Sequence, residues 1–188
     1  VKVPWERVFV HRDPEMCRRQ FHDTPGHIYQ NYQAQIRLTV KLKFLAGLAR
    51  AVCETIGTVK LPAVAESLGK MAAQAAAVEI MMWGMEAKGS QWGKYFVPDR
   101  HAVYAAQTLT QEYYPLMINT LRELSGGALI MLPSSIEDMR NPELAAIAES
   151  VQVSADGRSA EDRIKLMKLV WDAVGSEFAG RHTQYEMF

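Results

Sequence analysis

Two groups of residues in this chain have the chemistry to hold a charged or heterocyclic ligand. Gln30, Asn31, Gln33, Arg37 and Lys41 crowd one stretch. Their carboxamides, guanidinium and ammonium groups offer donors to an anionic cofactor. The same row also suits a solvated helix face, and both readings stay open. Ser125-Gly126-Gly127 is the second group. Two glycines let backbone N–H groups approach a pyrophosphate or a flavin edge, and they equally suit a helix end. Arg181, His182 and Tyr185 read as the exposed end of a last helix. Other chemistries find no support. No Glu is followed by a His three positions later, which the di-metal sites of helical bundles need. His22 and His27, five apart, fall on different faces of a helix, and His-Glu-x-x-His and Cys-x-x-Cys are absent. So are the phosphate-cradling glycine loops and the Gly-x-Ser-x-Gly elbow. Cys17 and Cys53 read as packing residues. No catalytic residue and no metal site is assigned.

The elements that must position these residues are helical. Thr24-Pro25 opens a long helix that ends near Gly57, with an apolar row Ile28, Tyr32, Ile36, Val40, Phe44, Leu48, Ala51 and Val52. A second starts at Pro62, with a seam of Val64, Leu68, Met71, Ala75, Val78, Met82 and Met85. Gly89 to Pro98 reads as a turn whose aromatic residues pack down as a lid. A third helix, about Asp99 to Leu124, should kink at Pro115. Asn141-Pro142-Glu143 caps a short helix to about Val151. Ser159 opens a last one with Ile164, Met167, Val170, Trp171, Val174 and Phe178 buried. Residues 1–10 read as an edge strand or an extended lead-in. The expected fold is all-α: an up-and-down helical bundle over 24–188, preceded by 1–23 as the end of a β-domain or a linker.

Composition agrees. Of 188 residues, 48% are hydrophobic and 22% charged, enough for a core and too apolar for disorder. A net charge of zero leaves no basic footprint for nucleic acid. The absence of a long apolar run argues against a membrane span. Two cysteines suit a reducing compartment, and a cytoplasmic location is expected. A start at Val1 and an uncapped end at Phe188 suggest a piece of a longer protein.

Several blocks in order carry a resemblance. They are Val3-Pro4-Trp5-Glu6-Arg7-Val8-Phe9, Asn31-Tyr32-Gln33-Ala34-Gln35, the run from Lys41 to Ala49, and Ser125-Gly126-Gly127 with Leu132-Pro133-Ser134-Ser135. Trp171-Asp172, Gly180-Arg181-His182 and Tyr185-Glu186 complete the set. Together they resemble the carboxy-terminal domain of the 4-hydroxyphenylacetate 3-monooxygenase oxygenase-component family, similar in fold to the acyl-CoA dehydrogenase helical domain. The resemblance implies an aromatic hydroxylase that uses reduced FAD supplied by a separate flavin reductase. It implies a phenolic substrate and a homo-oligomer, with a tetramer expected, whose core this bundle builds. It also implies that Ser125, Gly126 and Gly127 lie near the flavin, with Gln30, Gln33 and Arg37 as further cofactor contacts. Catalytic residues are expected outside this chain. Two alternatives remain: a non-enzymatic oligomerisation or docking module, and an enzyme like 4-hydroxybutyryl-CoA dehydratase. Against the latter, no Cys lies between Arg18 and Val52 to ligate an iron–sulfur cluster.

Overall fold

The computed structural model describes residues 1–187; the expectation for Phe188 lies outside the described residues. The helices are α1 (Pro14–His22), α2 (Gly26–Ile56), α3 (Pro62–Ala87), α4 (Arg100–Thr110), α5 (Tyr113–Ser125), α6 (Ile136–Arg140), α7 (Pro142–Val151), α8 (Ala160–Val174) and α9 (Glu177–Met187). The strands β1 (Ser90–Trp92) and β2 (Tyr95–Val97) form a small antiparallel hairpin.

Side-chain pairings give the directions. Tyr32 meets Glu86 and Lys43 meets Glu79, so α3 runs antiparallel to α2. His27 meets Tyr104 and Gln35 meets Thr110, so α4 runs parallel to α2. Lys41 meets His182 and Arg37 meets Glu186, so α9 runs antiparallel again. The result is the expected up-and-down bundle. Its main core gathers Leu38, Leu42, Leu45 and Val52 with Met71, Val78, Met117, Leu121, Met167 and Val170. A smaller cluster of Ile28, Met85, Val97, Val103 and Ala106 holds the hairpin end.

Several expectations need correction. Residues 1–10 form no strand; they are extended on either side of a single 3-10 turn at Trp5–Arg7. Within 1–23, residues 14–22 form α1, a helix not expected from the sequence, started by Asp13, whose carboxylate accepts from Met16 N at 2.8 Å, with Pro14 in the first turn. The third helix breaks at Gln111–Glu112, before Pro115. A proline ring clashes with the carbonyl four residues back, which is Gln111, and Pro115 then sits harmlessly in the first turn of α5. The last helix is also split. At Gly175 a Cβ would lie 2.6 Å from the Trp171 ring, and Ser176 Oγ caps α9 by accepting from Ala179 N at 3.1 Å. Trp171 and Phe178, expected to be buried, are exposed. Trp92, Tyr95 and Phe96 are exposed too, so the hairpin buries only Val97 and is no aromatic lid. Sequence reasoning missed α6, although Ser135 and Asp138 complete a reciprocal capping box.

The apolar row of α2 is the largest correction. Ile36, Val40 and Phe44 face outward, while Asn31, Gln35 and Thr39 are buried. This helix is apolar on more than one side, so periodicity alone could not choose the inner face. Exposed Ile80 and Trp83 of α3 continue the outer row beside the Lys43–Glu79 ion pair.

Candidate functional site

The outward apolar face of α2 borders a polar one. A cavity of about 560 Å³ lies between α2, the α4–α5 break and α9. Gln30, Asn31, Gln33, Ala34, Gln35, Arg37 and Leu38 form one wall; Gln107, Thr110 and Gln111 another; and Arg181, Gln184, Tyr185 and Glu186 the third. Gln30, Asn31, Gln33 and Arg37 of the polar row thus line an open cleft, Gln30 and Gln33 with their side chains still exposed, while Lys41 lies outside it. Its size and its mixture of apolar wall and convergent amides fit a small-molecule site.

Ion pairs hold α9 over this cleft. Glu186 has a side chain only 4% exposed and accepts from Arg37 Nε at 3.2 Å and from Lys41. Gln33 Oε1 accepts from Arg37 Nη1 at 3.1 Å, and the guanidinium lies 4.7 Å above the Tyr185 ring. Lys41 also donates to His182 Nε2. Burial, followed by the Lys41 charge, holds the His182 imidazole below its ordinary range, which keeps it a neutral acceptor. His182 and Tyr185 are therefore tied into a polar cluster, while Arg181 stays at the exposed surface as expected, paired only with Glu177.

His22 and His27 do not share a helix: one ends α1, the other begins α2, and their rings lie 5.7 Å apart. His27 Nδ1 is 2.7 Å from Tyr104 Oη and Nε2 is 3.0 Å from Asn31 Nδ2. Burial, then the charges of His22 and Arg100, push the His27 imidazole down. It is neutral, donating to Tyr104 and accepting from Asn31.

Ser125 Oγ donates to Leu121 O at 2.7 Å, and Gly126 adopts φ 52, ψ −139. That is a glycine conformation, though not the left-handed helical cap expected. Ser125, Gly126 and Gly127 are not among the residues lining the cavity. They lie at the far end of α5, roughly 20 Å from Thr110 by helical rise. The two residue groups thus face different regions of this chain. Cys53 is buried as expected, whereas Cys17 is exposed. Asn31 belongs to the polar row picked out above but was not named among the cofactor contacts, and Gln35 was missed; the available signal was its place beside the apolar stripe. No group of three or more His, Cys, Asp or Glu side chains among the described residues could hold a metal ion. No helix there is long and apolar enough to cross a membrane.

Residues 17–188 match the family model for the 4-hydroxyphenylacetate 3-hydroxylase C-terminal domain (HpaB). The chain belongs to this HpaB family. It is 33% identical over 189 residues to the 4-hydroxyphenylacetate 3-monooxygenase oxygenase component of Pseudomonas aeruginosa, covering 100% of the chain and 36% of that relative. The crystal structure of the HpaB oxygenase component complexed with FAD and 4-hydroxyphenylacetate superposes with a TM-score of 0.91 at 28% identity, over 99% of this chain and 39% of that one. A 4-hydroxybutyryl-CoA dehydratase from N. maritimus shares the fold, with a TM-score of 0.83 at 17% identity over 98% of this chain and 36% of that one. That likeness concerns fold alone. The chain spans little more than a third of the length of the HpaB relatives it matches.

Proposed function

We propose that this chain is the carboxy-terminal bundle of the oxygenase component of a two-component, reduced-FAD-dependent phenol ortho-hydroxylase. Residues 24–188 are the bundle and 1–23 the tether to a preceding β-domain. The observation that carries the reading is the cavity over α2, with buried amides and Arg37 and Arg181 in its walls. Its donors and volume fit part of a flavin dinucleotide. Gln30, Gln33 and Arg37 contact the cofactor from α2. Ser125, Gly126 and Gly127 contact a separate part of it, or the cofactor of a neighbouring subunit, at the end of α5.

Reduced FAD would supply the two electrons with which dioxygen gives one oxygen atom to the ring carbon beside a phenol hydroxyl, the other oxygen leaving as water. The residues of this chain bind and orient, and the packed α2–α9 wall keeps water from one side of the site. The phenol is bound, and the proton transfers occur, on residues outside this chain. A separate reductase delivers the cofactor. The exposed row Ile36, Val40, Phe44, Ile80 and Trp83 supports a homo-oligomer, a tetramer in our reading, with a second copy of the chain covering it.

The test uses the intact protein. Anaerobic titration with reduced FAD, then oxygen and 4-hydroxyphenylacetate, should yield saturable binding and a catechol product. Absence of both sinks the reading. Light scattering with Val40→Glu and Phe44→Glu variants checks the oligomer; an unchanged mass counts against that face.

A further inference from the structure

The cavity holds two polar side chains that the proposed cofactor contacts leave out. Asn31 is 6% exposed and Gln35 is 4% exposed, one helical turn apart, and both line the cavity. The orientation of Asn31 is settled by what it touches. Its amide nitrogen lies 3.0 Å from His27 O and 3.0 Å from His27 Nε2. A backbone carbonyl only accepts, so the group facing it must be the NH2, and both its hydrogens are used. Asn31 Oδ1 is left without a partner among the described residues, yet it is not sealed away from the cavity.

Gln35 is the adaptable member. The single hydrogen of Thr110 Oγ1 is shared between Ala106 O at 2.8 Å and Gln35 Oε1 at 3.2 Å. Because Ala106 alone can take that hydrogen, the carboxamide of Gln35 is free to turn and donate to Thr110 instead. In either orientation one side of the Gln35 amide retains hydrogen-bonding capacity for an occupant.

An acceptor that an occupant covers costs free energy unless the occupant gives it a donor. We propose that Asn31 and Gln35 read the edge of a planar heterocycle on which an N–H sits beside an acceptor atom. Asn31 Oδ1 takes the N–H, and the Gln35 amide serves the neighbouring atom. His27 is a positioning residue, holding the Asn31 carboxamide with its oxygen toward the cavity. The inference rests on the cofactor reading of this cavity. Both ends of a flavin dinucleotide carry such an edge: the imide of the flavin ring, and the amino group of adenine beside its ring nitrogen.

The experiment separates these two sources. Calorimetry on the intact protein compares ADP with purine riboside 5′-diphosphate, in which the amino donor is replaced by hydrogen, and FMN with N3-methyl-FMN, in which the imide N–H is blocked. One unmodified probe should bind about tenfold or more tighter than its counterpart, the loss expected when a buried acceptor goes unpaired. The pair that discriminates names the end that is read. Asn31→Leu should bring the ratio near one. Should Asn31→Leu not fold, Asn31→Ser, too short to reach, is read the same way. A ratio near one for both pairs in the unaltered protein overturns the inference, as does a ratio untouched by Asn31→Leu. If the protein binds reduced FAD but discriminates within neither pair, the inference alone falls. If it binds neither reduced FAD nor any probe, the cofactor reading falls with it.

Discussion

Replacing Glu186 by Gln tests how α9 is held. The substitution keeps the shape and one acceptor oxygen and removes a charge that is 4% exposed. Arg37 and Lys41 then face each other across a neutral amide, beside a neutral His182. Breaking a fully buried ion pair costs about 3–5 kcal/mol. Here the cations keep 26% and 21% of their side-chain surface in solvent, so water recovers part of the loss, and about 2 kcal/mol is the reasoned figure. Because α9 is joined to α8 by a short break at Gly175–Ser176, the loss should appear as local opening of α9 and not as global unfolding. Amides of 177–187 should exchange roughly thirtyfold faster, the factor equivalent to that energy, while the centre of α2 keeps its protection. Hydrogen exchange with mass-spectrometric readout on the intact protein measures this. Glu177→Gln is the control, since its pairing with Arg181 spans 3.8 Å at the surface. An acceleration below about threefold in α9 would refute the reasoning.

Other outcomes follow from the same geometry. Gly126→Ala should destabilise by about 1–2 kcal/mol through backbone strain alone, because a Cβ there meets nothing within 4 Å. Gly47→Ala, in an equally open position inside α2, should stabilise by about 0.5–1 kcal/mol; chemical denaturation compares the two. Leu121→Ala, fully buried in the main core, should cost about 2–5 kcal/mol in the same assay. His27 and His182 both sit below the ordinary imidazole value of 6.5, so folding favours their neutral forms. Their contribution is complete above 6.5 and is lost as pH falls toward the lower folded values, which thermal melts across that range, with His27→Gln and His182→Gln variants, should register. Tyr32, pushed up to about 12 by burial and its hydrogen bond to Glu86, should stay protonated where exposed tyrosines ionise; ultraviolet titration against Tyr32→Phe checks this.

Much of this was legible in the residues. Pro62 and the spacing of Met71, Ala75, Val78 and Met85 mark α3 and its inner seam, because a single apolar stripe leaves one way to bury it. Asn141-Pro142 and Ser159 mark helix starts through local hydrogen bonds that need no distant partner. The all-α class and the bundle follow from such local signals, and the ordered blocks from Val3 to Glu186 point to the HpaB family. Tertiary structure decided the rest. The inner face of α2 depends on what lies against it, and only packing placed Ile36, Val40 and Phe44 outside and Asn31, Gln35 and Thr39 inside. Residues 77 or 149 positions apart, His27 with Tyr104 and Arg37 with Glu186, meet only after the chain has folded back on itself. Spacing along a chain encodes what a residue does to its own turn of helix. A cavity is made by several helices at once, and its lining is a property of their docking.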